Sequence, residues 1–251
     1  MSDPSHNGTW LAGNVGGAWL IDDQLHRHTG PWTPAVHALL DHLAGRGVPH
    51  VPRVLGVDEQ DREILTYLPG NVVDIGSAAL TPGQLHALVS WTRRFHDVVG
   101  DFEHPGPWRY PRMPGATLIG HNDIAPYNAC FDGDRLVGVF DWDMAGPSTP
   151  VMELAFIAWN CVPLWRDIGD AASLDRLQMI CDAYGRVSPV QVIEAVPVRI
   201  RWMLDWIPRG AANGDDGLRR LMTLGEPGRS QALLDNLIPR LSNMRAALDK
   251  P

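Results

Sequence analysis

The hydrophobic rhythm of the chain changes at Pro69-Gly70, and this change limits the available folds more than any other feature of the sequence. Before it lie short apolar runs bounded by turn residues: Ala18 to Ile21, Gln24 to Arg27, PRVLGVD and REILTYL, the last two separated by the polar turn Glu59 to Asp61. Runs of this length and punctuation read as strands. Among them, TPAVHALLDHLAGRG places Val36, Leu39, Leu40 and Leu43 at helical spacing, with Thr33 as expected N-cap, Pro34 at the first helical position and Gly45 or Gly47 as the stop. After Gly70 long helical periods take over. TPGQLHALVSWTRRFHDVVG opens on a capping box of Thr81 and Gln84, and Leu85, Leu88, Thr92, Phe95 and Val99 share one face. Residues 151–165, 173–184, 189–206 and 231–248 are also helix-like, with Pro197 expected to kink the third. The pattern predicts an antiparallel sheet with one inserted helix over residues 8–67, followed by a larger helical part.

Composition excludes several classes of function. No apolar run approaches the roughly 20 residues of a membrane helix; MELAFIAWNCVPLW is too short, contains a proline, and reads as a buried helix. The start, MSDPSHNGTW, lacks the basic and apolar segments of a secretory signal, so a cytoplasmic location is expected. Cys130, Cys161 and Cys181 are too few and scattered for a disulfide framework or a cysteine zinc site. The net charge is −8 with no basic block, which argues against nucleic acid and suits a cationic small molecule. Basic charge is carried almost wholly by arginine, because Lys250 is the single lysine among the 21 basic residues.

Residues 118–143, LIGHNDIAPYNACFDGDRLVGVFDWD, concentrate polar side chains among strand formers. Ala129 to Phe131 and Leu136 to Phe140 form a hairpin about the turn Asp132-Gly133-Asp134-Arg135, so Asn128 and Asp141 come to one end. Asp123, on the loop before it, faces the same gap. An amide oxygen and a carboxylate make an incomplete hard-oxygen shell, suited to Mg2+ that takes its other ligands from water and phosphate. A second carboxylate is then free to orient a hydroxyl proton, the division of labour of a kinase site.

HNDIAPYN followed by VFDWD resembles the H-x-D-x-x-x-x-N and I-D-W-x-D signatures of the aminoglycoside phosphotransferase family, and GPSTPVMELAFIAW resembles the turn and helix that follow them. The likeness runs from about Leu11 to Tyr184. It extends to GPWTPAVHALLDHL, PRVLGVD and CDAYG of compact bacterial phosphotransferases. The resemblance implies an α+β, protein-kinase-like fold of two lobes, a nucleotide lobe over residues 1–69 and a helical lobe over residues 70–251, with a hinge near residues 66–70. It implies a kinase using ATP or GTP and Mg2+ to phosphorylate a hydroxyl of a small molecule, either an antibiotic-like acceptor or a sugar, choline-like or amino-alcohol metabolite. By position, Asp123 would be the catalytic base and Asn128 and Asp141 the Mg2+ ligands. His121 would brace the catalytic loop, Asp143 would be auxiliary, and Asn122 stands where glycine is commonest.

The chain departs from this pattern in its first lobe. Kinases hold the α and β phosphates with a third-strand lysine paired to a helix glutamate, and no such lysine exists here. Arg27 is the positional substitute, with Asp41 as its expected acidic partner beside His37. Gly13, Gly16 and Gly17 of AGNVGG are candidates for a phosphate-covering turn, and Trp202, Asp205 and Trp206 for an aromatic, acidic substrate cleft. His26 and His28 read as surface histidines, and Glu153 as a cap or brace of its helix. The missing lysine also admits a nucleotide-binding module without catalysis. A metal hydrolase reading lacks a histidine pair at zinc spacing.

Overall fold

The computed structural model describes residues 8–13, 15–76 and 78–249. Strands β1 (Thr9–Ala12), β2 (Gly17–Ile21) and β3 (Gln24–His28) are followed by helix α1 (Thr33–Gly45), then β4 (Val54–Val57) and β5 (Arg62–Thr66). They form one antiparallel sheet in the order β1-β2-β3-β5-β4. α1 starts one residue earlier than expected. Trp32 is the N-cap and Thr33 the first helical residue, because the Thr33 hydroxyl turns back to accept the Gly30 N–H at 2.9 Å. Leu39, Leu40 and Leu43 are buried, as their spacing requires.

The remainder comprises β6 (Asn71–Val72), α2 (Pro82–Val98), β7 (Leu118–Gly120), β8 (Ala129–Asp132), β9 (Arg135–Val139), β10 (Gly146–Ser148), α3 (Pro150–Cys161), α4 (Asp170–Tyr184), α5 (Pro189–Ala212), α6 (Asp216–Thr223) and α7 (Gly228–Leu248). The Thr81–Gln84 capping box at the start of α2 forms in both directions. α3 ends at Cys161 rather than Trp165, since Pro163 disfavours helix in the residue before it; Arg176 then donates to the Cys161 carbonyl at 2.7 Å. Every residue of α3 from Glu153 to Cys161 is buried, which makes it the central helix. α5 continues through Pro197 and Pro208 beyond its expected end. α6 lies where no helix is expected, in the glycine-containing GDDGLRRL, and Asp215 caps it by accepting the Leu218 N–H at 3.0 Å.

One hydrophobic core joins α1, α2, α3, α4, α5 and α7 with β7–β9, and the three cysteines are buried and unpaired. No helix among the described residues is long and apolar enough to cross a membrane.

Candidate active site

The β8–β9 hairpin turns through Gly133 and Asp134, with Gly133 at φ +59°, at the centre of the expected turn Asp132 to Arg135. At its open end the Phe140 N–H donates to the Asn128 carbonyl at 3.0 Å, which places Asn128 and Asp141 side by side in the chain path. Asp141 itself is left-handed, at φ +61°, and breaks the strand so that its side chain stays 45% exposed. The sequence expectation for this end of the hairpin is therefore realised.

The loop after β7 is held from below by α3 and α5. The Glu153 carboxylate accepts the N–H groups of His121 at 2.9 Å and Asn122 at 2.8 Å, one on each oxygen. Gly120 is required beside it, because a Cβ there would lie 2.7 Å from the Glu153 carboxyl carbon. Arg199 of α5, itself buried, donates to the Asn122 carbonyl at 2.7 Å and to the Tyr110 hydroxyl at 2.7 Å. Asn122 adopts φ +63°, which asparagine tolerates, and its amide donates to the carbonyls of Met144 at 3.1 Å and Gly146 at 3.2 Å. Glu153 thus does more than brace its own helix. Burial opposes its ionisation, but His96, with its ring nitrogen 3.7 Å away, and the field of Arg199 hold the carboxyl below its ordinary value.

His121 is buried against Trp142, with ring centroids 4.5 Å apart. Its Nε2 bonds the Phe140 carbonyl at 3.1 Å and its Nδ1 lies 3.3 Å from the Asp123 N–H, an arrangement satisfied by the neutral Nε2-protonated ring. Burial lowers its pKa in keeping with that neutral form. Asp123 accepts the Asn128 amide at 2.7 Å and lies 3.4 Å from the Tyr127 hydroxyl. Burial and then the Asp141 charge push its carboxyl up to about 8, against the lowering effects of Asn128, Arg199 and Tyr127. Two carboxylates at one hairpin end therefore repel, and a cation between them would relieve both.

Arg27 reaches this site from β3, but it does not pair with Asp41. Asp41 is exposed on α1. The acidic partner is Glu63, directly opposite Arg27 in the β3–β5 register, with Arg27 Nε 2.8 Å from its carboxylate. Cross-strand neighbours stand closer than a helix side chain beyond them can reach, and α1 supplies His37 instead, 2.8 Å from the other Glu63 oxygen. The alternation of REILT, which sets Glu63 on the same face as Leu65, carried this signal. Arg27 extends further to Asp141 at 3.3 Å and to Asp143.

Asp143 is also bound by Arg109, at 3.2 Å, a residue the sequence reading did not single out. Arg109 holds Asp215 with two bonds of 2.8 Å and stacks on Trp32, its guanidinium carbon 4.3 Å from the ring centroid. Gly13 and Gly16 close the β1–β2 turn through a 2.8 Å backbone bond, and Gly17 makes room for the Trp10 ring. Within this turn Val15 rests on Gly217 of α6, where a Cβ would come within 2.3 Å of it. The candidate substrate residues separate: Trp202 lies against Tyr110 in a tilted contact with ring centroids 4.5 Å apart, while Trp206 packs with Ile207, Ala211 and Leu218, and Asp205 is exposed. His26 bonds Asp58 at 2.9 Å.

A model of the family described as "Phosphotransferase enzyme family" matches residues 4–112 and 108–190. The chain belongs to this family. It is similar to the trifolitoxin immunity protein of Rhizobium leguminosarum bv. trifolii, with 31% identity over 177 residues, covering 64% of this chain and 67% of the relative. Among solved structures it is similar to a choline/ethanolamine kinase family protein from Mesorhizobium loti, with a TM-score of 0.60 at 17% identity over 97% of this chain and 94% of that one. It is also similar to aminoglycoside 2'-phosphotransferase-IIIa in its GDP complex, with a TM-score of 0.57 at 15% identity over 96% and 93%. These likenesses establish the α+β, protein-kinase-like fold, with its antiparallel sheet first and its helices after, and this phosphotransferase-family chain shares it along nearly its whole length.

Proposed function

We propose that this phosphotransferase transfers the terminal phosphoryl group of ATP or GTP to a hydroxyl of a small molecule, with Asp123 as the catalytic base. The observation that carries the reading is the end of the β8–β9 hairpin, where the Asp123 carboxylate is oriented by the Asn128 amide beside a half-exposed Asp141. Residues 1–69 act as the nucleotide lobe, 70–251 as the acceptor and catalytic lobe, and residues 66–70 as the hinge.

The donor set fits Mg2+. Asn128 turns its nitrogen to Asp123, leaving its oxygen as donor, and Asp141 presents a half-exposed carboxylate that Arg27 contacts from one side. These two ligands leave room for water and phosphate, which Mg2+ prefers to a full protein cage. When bound there, Mg2+ would neutralise charge on the nucleotide phosphates. Asp123 would accept the acceptor hydroxyl and align it for in-line attack, with its proton passing to a carboxylate oxygen. His121, Glu153 and Arg199 fix the backbone that carries it. Arg27, tethered to Glu63, is the candidate for the phosphates, and Gly13, Gly16 and Gly17 are the candidates for a turn that covers them.

The net charge of −8 favours a cationic acceptor carrying a hydroxyl, either an antibiotic-like amine or a choline-type or amino-alcohol metabolite. Relatives named for aminoglycoside and choline/ethanolamine chemistry support that class. A cytoplasmic site of action matches the nucleotide co-substrate. Radiolabelled nucleotide and a panel of hydroxylated amines provide the test. Asp123→Asn should abolish phosphoryl transfer by at least about a thousandfold while Mg2+-nucleotide binding persists. Transfer at a rate near wild type in that variant would remove Asp123 as base, and nucleotide binding without transfer to any acceptor would favour the non-catalytic module.

A further inference from the structure

We infer that Arg27 is the resident counter-cation of Asp141 and Asp143, and that it exchanges these carboxylates for nucleotide phosphate when a divalent cation enters the site. The inference rests on the phosphotransferase reading and adds what position 27 does within it.

Arg27 bonds three carboxylates through three different nitrogens. Its Nε holds Glu63 at 2.8 Å, Nη1 lies 3.3 Å from Asp141, and Nη2 reaches Asp143. The first contact is a tether: Glu63 is 3% exposed and is gripped from its other side by His37. Of the outer two, the Asp141 contact is the longest of the three and involves a half-exposed group, whereas Asp143 is 18% exposed. With Nε held on Glu63, the guanidinium can exchange the outer carboxylates at its two Nη groups for a phosphate, whose oxygens match the fork. An ammonium is a single point charge and cannot hold Glu63 and two further carboxylates in this way. This accounts for arginine at a position where the family pattern leads one to expect lysine.

Asp143 is not left alone when Arg27 moves, because its second oxygen already accepts Arg109 at 3.2 Å, and Arg109 is in turn fixed by Asp215. Breaking one half of a buried pair is costly only when a charge is left uncompensated. Asp141 would gain the metal in place of the guanidinium. The two cations compete for the same carboxylate, since like charges at contact range repel strongly. Free divalent cation therefore binds weakly to this protein, and binds well only when phosphate draws Arg27 away.

The test is titration of the full chain with Mn2+, read as free Mn2+ by electron paramagnetic resonance, with and without ADP. Arg27→Met should bind Mn2+ in the absence of nucleotide at least about tenfold tighter than wild type, and bind ADP in the presence of Mn2+ at least about tenfold weaker. The opposite signs are the signature. Adding Asp141→Asn to Arg27→Met should remove the gain in Mn2+ affinity, and Arg27→Lys, which keeps the charge, should stay within about threefold of wild type for Mn2+ alone. Arg27→Gln, which can still bond Glu63, serves if Arg27→Met does not fold. An unchanged or weaker Mn2+ affinity in a folded neutral variant overturns the inference while leaving the phosphotransferase reading intact. Wild-type protein that binds no nucleotide with Mn2+ overturns both.

Discussion

Replacing Glu153 by glutamine exchanges one carboxylate oxygen for an amide nitrogen and should loosen the loop that carries Asp123. In the wild-type protein two buried N–H donors, those of His121 and Asn122, each meet one oxygen of a carboxylate whose side chain is 1% exposed. Glutamine offers one oxygen and one NH2 group, so one of the two N–H groups must face another donor. A hydrogen bond to a charged group contributes about 1.5–3 kcal/mol, and an unpaired buried donor costs about 1–3 kcal/mol. Losing one bond and weakening the other therefore amounts to about 2–4 kcal/mol. For a chain of this size each kcal/mol shifts the melting temperature by about 2–4 °C, so Glu153→Gln should melt about 5–15 °C lower at pH 7. The native carboxyl is held below its ordinary value of 4.5. A carboxylate depressed in the folded state contributes stability that is present above its unfolded pKa and is lost as pH falls through its folded pKa. The gap between wild type and variant should accordingly narrow as pH is taken below 4.5. Scanning calorimetry across pH gives both quantities. Amide exchange at His121 and Asn122 should accelerate, and kcat should fall more than nucleotide KM rises. A Glu153→Gln protein with unchanged melting temperature and normal protection at these two amides would refute the reasoning.

Two other perturbations have defined signs. With chelator present, Asp123→Asn should melt at or above wild type, and its advantage should grow between pH 4 and 8: the Asp123 carboxyl is pushed up to about 8 from its ordinary 3.8, so the native form is destabilised increasingly as pH rises through that window. A lower melting temperature throughout would show that its bonds to Asn128 outweigh the repulsion from Asp141. Gly217→Ala places a methyl within 2.3 Å of Val15 and 2.4 Å of Arg109 Nη2, and such overpacking costs about 1–3 kcal/mol. Urea unfolding should register that loss, together with weaker nucleotide binding as the β1–β2 turn is displaced from α6.

The legible parts of the site are those built from neighbours in sequence. His121, Asp123, Asn128 and Asp141 are carried by one hairpin and the loop before it, so a turn and a strand period are enough to bring them together. The pairing of Arg27 was misread for the opposite reason. Choosing between Asp41 and Glu63 requires the β3–β5 register, which brings residue 63 opposite residue 27 and leaves Asp41 in solvent. Arg109 and Arg199 were missed because nothing local distinguishes a structural arginine from a solvated one. Each becomes special only through residues about 35 to 105 positions away, Asp143 and Asp215 for one, Tyr110 and Asn122 for the other. α6 was missed because Gly217 weakens the helical pattern, and the reason for that glycine is a contact with Val15, far away in the chain.

By itself the sequence determined the order of sheet and helices, the buried α3, the capped start of α2 and the hairpin that carries Asp123, Asn128 and Asp141, because each follows from spacing and capping within a few residues. Only the tertiary structure decided which groups neutralise that hairpin. A buried charge is satisfied by whatever partner the packing brings within about 3 Å, and here the packing brings Glu63 to Arg27, Arg27 and Arg109 to Asp143, and Glu153 and Arg199 to the backbone at His121 and Asn122.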